Sequence, residues 1–181
     1  MIRAYRLAHA AALAQNPDPF RPARSENRWN SADTQVAYAG ESLAISAVEL
    51  LTYWGSYPSL KGYRLFTLDF DEKDVEDVLE HEPGINAQNY AETRRYGDRW
   101  VEEGRSLALR VPSVVLPMSY TYLINPNHPR FDPDSVIAHG AFEYEQRIAR
   151  LVKQAKRAKR RPLCGARRLM TYPLTSYSSA E

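Results

Sequence analysis

Residues 35–55 read QVAYAGESLAISAVELLTYWG. Two periods meet in this stretch. Gln35 to Ala39 is short, partly β-branched and closed by Gly40, which predicts a strand. From Glu41 to Trp54 the apolar residues Leu43, Ala47, Leu50, Leu51 and Trp54 fall on one stripe at helical spacing. Glu41 lies in the first turn, where a carboxylate suits the helix dipole, and Gly55 is expected to end the helix. A strand that runs straight into a helix is the start of a βαβ unit if the pattern repeats.

It does not repeat. Ile2 to Ala8 reads as a strand, and Asn16 to Ser25, with Pro17, Pro19 and Pro22, as a loop. Tyr63 to Phe70 alternates, with Arg64, Phe66, Leu68 and Phe70 on one face and Leu65 and Thr67 on the other. Asp71 to Glu82 is acidic and reads as a short helix or loop. Asp98 to Glu103 reads as a short helix between Gly97 and Gly104. Leu107–Val111 and Val114–Leu116 read as a strand pair, or one strand broken at Pro112, and Tyr120–Ile124 as another strand. Strands and helices thus mix without a βαβ rhythm. The expected class is α+β, a single domain on a mixed sheet. There is no internal repeat and no glycine-rich phosphate loop.

The 181 residues are 44% hydrophobic and 25% charged, a globular balance long enough for one core. A lone cysteine, Cys164, excludes an internal disulfide and suits a reducing compartment, so a cytoplasmic protein is expected. One cysteine and four scattered histidines make no zinc motif, and no metal site is expected. The longest stretch without charge, Val111 to Pro129, is interrupted by four prolines and reads as strand and loop rather than a membrane span.

The net charge of +2 conceals two regions. Residues 1–140 carry 14 basic and 19 acidic side chains, a net −5. Residues 141–181 carry 10 and 3, a net +7. Ala141, Tyr144, Ile148, Leu151, Ala155 and Ala158 form a heptad-like stripe. They predict a basic C-terminal helix that packs this stripe on the body, followed after Pro162 by irregular chain. The expected division is a body over 1–140 and a dependent helix and tail over 141–181.

Four places carry candidate chemistry. Glu49 lies about 140° from the centre of the apolar helix stripe, taking about 100° per residue. Its spacing fits a solvated carboxylate or one facing a cleft. Arg28, between Asn27 and Asn30 and beside Trp29, fits a planar grip on a phosphate or carboxylate, or a loop arginine binding backbone carbonyls. Ser113, between Pro112 and β-branched residues, has a hydroxyl held at a strand end. It lacks the glycine-flanked elbow of serine hydrolases. Tyr122-Leu-Ile-Asn-Pro126 is a strand entering an Asn-Pro turn.

Taken in order, Tyr5-Arg6-Leu7, Arg28-Trp29-Asn30, Val36-Ala37-Tyr38-Ala39, the helix with Leu43 and Glu49, Gly97-Asp98-Arg99-Trp100, Arg110-Val111-Pro112-Ser113 and Tyr122–Pro126 resemble the RES domain. The likeness runs from about Ile2 to Phe131. It implies the toxin half of a bacterial toxin–antitoxin pair with a fold like the ADP-ribosyltransferases. The implied activity depletes NAD⁺ at the nicotinamide–ribose bond, with water or inorganic phosphate as acceptor, and so inhibits growth. NAD⁺ is then a substrate and no cofactor is needed. Implied partners are an Xre-type helix-turn-helix antitoxin and a second toxin copy in a homodimer, with nucleic acid reached only through the antitoxin.

The resemblance also implies roles. Glu49 would stabilise the oxocarbenium-like ribose and hold one of its hydroxyls. Arg28, helped by Arg6, would grip the pyrophosphate, Tyr38 would stack on nicotinamide, and Ser113 would donate to a phosphate. Asn30 joins Arg6 and Ser113 as a substrate-binding candidate. Two alternatives stay open: transfer of ADP-ribose to a protein, and a non-catalytic module that binds partners through the basic tail. The resemblance assigns no role to residues 141–181.

Overall fold

A computed structural model describes residues 1–159 apart from Ala23 and residues 55–59. Gly55, Cys164 and the chain beyond Lys159 lie outside the described residues. The strands are β1 (Ile2–His9), β2 (Ala37–Gly40), β3 (Tyr63–Phe70), β4 (Val75–Asp77), β5 (Ala108–Pro112), β6 (Tyr120–Ile124) and β7 (Val136–Phe142). The helices are α1 (Ala10–Gln15), α2 (Leu43–Trp54), α3 (Val78–His81), α4 (Tyr90–Glu103) and α5 (Gln146–Lys159). The strands form one sheet in the order β4-β5-β6-β2-β1-β3-β7. β4 and β5 are parallel and every other neighbouring pair is antiparallel. The class is α+β on a mixed sheet.

Side chains alternate between the two faces of a strand, so the sheet builds two cores. Ala4, Ala39, Phe66, Leu68 and Ile124 pack on one face, with Phe20 and the partly buried Leu13 of α1. Leu109, Val111 and Leu123 pack on the other, against Trp29 and against Tyr96 and Trp100 of α4. Trp100 is wholly buried, and its indole N–H donates to Ser106 Oγ at 2.8 Å. Emptying a site of that size costs about 3–5 kcal/mol.

α4 begins eight residues before the expected helix and runs straight through Gly97. That glycine is a packing position rather than a boundary. A Cβ there would lie 1.9 Å from the Trp29 carbonyl oxygen. Gly104, in the left-handed conformation at φ 57°, ends the helix as expected. β4 is absent from the sequence reading because Val-Glu-Asp is short and acidic. It holds its place by pairing with β5 and by burying its carboxylates against partners: Asp77 accepts from Arg110 Nε at 2.6 Å, and Glu76 from the Tyr96 hydroxyl at 2.7 Å. Val114–Leu116 is not a strand. It forms the bend joining β5 to β6.

Two expectations about helices change. On α2 the deeply buried residue is Ile45, nearly opposite the expected stripe, whose members through Leu51 are only half-buried. The helix is apolar on most sides, so periodicity selects no unique face. Near the C-terminus the stripe does not lie on one helix. Ala141 belongs to β7 and Tyr144 precedes α5. Tyr144 and Ala149 are buried, whereas Ile148 and Leu151 are 37% and 63% exposed. β7 also runs through Gly140, so a boundary drawn there cuts the sheet's last strand.

Candidate active site

β1 and β2 share a single registered pair, Tyr5 with Gly40. Gly40 is required there because a Cβ would meet Ser46 Oγ at 2.6 Å. Ser46 of α2 accepts from Gly40 N at 3.1 Å and donates to the Tyr5 carbonyl at 2.6 Å, so the helix is pinned where the two strands meet. Beyond that point Arg6 spans the strands, donating to the Pro19 carbonyl at 2.5 Å and to the Tyr38 carbonyl at 2.6 Å. Burial lowers the Arg6 guanidinium to about 10. These two carbonyls give Arg6 a structural task, closing the splay beside β2.

Pinning α2 through Ser46 sets the direction of Glu49, which lies one turn beyond the buried Ile45. Glu49 is half-buried rather than solvated, and its Oε1 accepts from Ser113 Oγ at 2.7 Å. Ser113 also accepts from the backbone N–H groups of Val115 and Leu116, each at 3.2 Å, at the start of the β5–β6 turn. The serine therefore caps its own turn and aims the carboxylate. Glu41, expected to complement the helix dipole, instead lies before α2, accepts from Tyr120 N at 3.0 Å and ties the far end of that turn to the segment entering the helix.

Arg28 forms a second centre. Its Nη1 donates to the Ala87 carbonyl at 2.6 Å, its Nη2 donates to the Tyr90 hydroxyl at 3.0 Å, and its guanidinium carbon lies 4.4 Å from the Tyr90 ring centroid. Tyr38 binds this loop from β2. Its hydroxyl accepts from Trp29 N at 3.0 Å and donates to Asn30 Oδ1 at 2.9 Å. Burial raises the Tyr38 phenol above its usual range, with the nearby charges of Arg28 and Arg94 acting against it. Asn30 is 2% exposed, and its amide donates within 3 Å to the carbonyls of Ser25, Ser31 and Thr34. It shapes the loop from inside.

The six candidates therefore separate. Glu49 and Ser113 meet directly. Arg28, Asn30 and Tyr38 share a loop network, and the Tyr38 carbonyl joins it to Arg6. Tyr90 escaped the sequence reading, where the only available signal was an aromatic residue after the Asn89 helix cap. Among the described residues no three His, Cys, Asp or Glu side chains converge to hold a metal ion. No described helix is long and apolar enough to cross a membrane.

A profile of the RES domain matches residues 3–145. The chain belongs to the RES domain family. The match reaches past β7 to the segment carrying Tyr144. RES relatives include a protein named Toxin Res from Pseudomonas putida, 30% identical over 125 residues, 62% of this chain and 86% of the relative. A Toxin Res from Yersinia enterocolitica is 25% identical over 130 residues, 70% of this chain and 86% of the relative. A Prs ADP-ribosylating toxin from Sphingobium is 27% identical over 108 residues, 56% of this chain and 67% of the relative. In fold, the chain is similar to a chain in the crystal structure of the M. tuberculosis MbcT–MbcA toxin–antitoxin complex. The TM-score is 0.61 at 16% identity, covering 84% of this chain and 89% of that one.

Proposed function

We propose that this RES protein is the toxin of a toxin–antitoxin pair and that it consumes NAD⁺ by cleaving the nicotinamide–ribose bond. The observation that carries the reading is the 2.7 Å bond from Ser113 to Glu49, which gives the carboxylate one orientation. As nicotinamide leaves, positive charge develops on the ribose. A carboxylate fixed in advance stabilises that charge without reorganising during the reaction. Arg28 meets the pyrophosphate with a planar fork, since its two internal bonds use only two of its five donors. Arg6, Tyr38 and Asn30 act by holding the strand and loop that carry Arg28. Water or inorganic phosphate takes the ribosyl group.

The names of the relatives support the toxin reading. The structural neighbour, a chain of a toxin–antitoxin complex, supports an antitoxin partner, for which we propose the Xre type acting on a toxin homodimer in the cytoplasm. The test is release of nicotinamide from NAD⁺ by the purified protein, with and without phosphate. Glu49→Gln is expected to lower kcat at least 100-fold while the protein stays folded. NAD⁺ left intact by wild type under both conditions would sink the reading. The Sphingobium relative, named as ADP-ribosylating, favours a second reading in which the acceptor is a protein side chain. Labelled NAD⁺ in lysate would then mark a discrete band.

A further inference from the structure

We infer that Tyr90 is a positioning and specificity residue for the substrate diphosphate, holding the Arg28 fork in its binding geometry before substrate arrives. The inference rests on the NAD⁺ reading above. Three groups around the start of α4 hold Arg28: the Tyr90 ring and hydroxyl, the Ala87 carbonyl, and Thr93 Oγ1, which donates to the Arg28 carbonyl at 2.5 Å. Both the backbone and the head of one arginine are thus held by a single short stretch of chain.

The ring also gathers charge. Arg94 places its guanidinium carbon 5.1 Å from the same centroid while donating from Nε to the Asn27 carbonyl at 2.7 Å. Tyr90 is 45% exposed, an aromatic platform under two arginines in a body of net charge −5. Arg94 is already paired with the Glu26 carboxylate, which leaves the Arg28 fork as the cation this platform offers to a compact anion. A free arginine loses rotamer entropy when its fork is fixed. Stacking and the hydroxyl bond remove part of that loss before binding. The hydrogen bonds and ring contacts of Tyr90 go to Arg28, Thr93 and Arg94 rather than to Glu49 or Ser113, so its contribution belongs to binding rather than to bond cleavage.

The test compares wild type with Tyr90→Phe, Tyr90→Leu and Tyr90→Ala by NAD⁺ kinetics, ADP-ribose affinity and melting temperature. Tyr90→Ala and Tyr90→Leu are expected to raise KM and the ADP-ribose Kd about tenfold, with kcat within twofold of wild type. Tyr90→Phe keeps the ring and should restore most of the affinity. Unchanged KM and Kd in Tyr90→Leu would overturn the inference, as would a fall in kcat with Kd unaltered. A wild type that binds ADP-ribose but leaves NAD⁺ intact removes the activity reading alone, and the ADP-ribose series then decides the role of Tyr90.

Discussion

Tyr38 and Ser113 show how one hydroxyl can stand between a local structure and a reaction. Tyr38 was expected to act through its ring, yet its hydroxyl is bonded on both sides, to Trp29 N and Asn30 Oδ1. Tyr38→Phe keeps the ring but strands a buried amide oxygen, a loss of about 1–3 kcal/mol. Chemical denaturation should show that loss, and NAD⁺ KM should rise because the Arg28 loop loosens. Unchanged stability and KM would return the role to the ring. Ser113→Ala removes the donor to Glu49 and the acceptor for two turn N–H groups together. Turnover is expected to fall about 10-fold or more, with a smaller loss in ADP-ribose affinity. Equal losses in both would argue that Ser113 acts on the phosphate instead.

At the scale of elements, α4 is the part most altered by packing. Its sequence contains a glycine near the middle, which ordinarily weakens a helix by about 1 kcal/mol relative to alanine. Here the missing Cβ lets the helix touch the Trp29 carbonyl and so supports the Arg28 loop from behind. Gly97→Ala should therefore lose stability rather than gain it, by about 1–3 kcal/mol, and should weaken ADP-ribose binding. A higher melting temperature in that variant would contradict the close approach. The strands were legible because alternation survives burial on one face at a time, as in Phe66, Leu68 and Phe70. β4 was not, since its three residues depend on partners at Arg110, Tyr96 and Arg105 that lie far along the chain.

For the whole molecule, the charge division and the structural division fall in different places. The basic region begins near Gly140, but the sheet continues to Phe142, and the Tyr144 hydroxyl donates to the Ala47 carbonyl of α2. A chain ending at Gly140 therefore loses an edge-strand end and a tie to the helix that carries Glu49. It is expected to melt several degrees lower and to lose turnover. A chain ending at Lys159 keeps every described contact and should retain both. Circular dichroism melts and the NAD⁺ assay on the two truncations check this. The sequence by itself determined the class, most strands, the ordered motifs and the acidic and basic division, because composition and short-range period are local properties. Only the tertiary structure decided that Glu49 lies on the buried side of α2, that it meets Ser113 from 64 residues away, and that Tyr90 holds Arg28. Those facts depend on how elements pack across the sheet, and an apolar helix or an exposed tyrosine carries no local mark of the side chain it will meet.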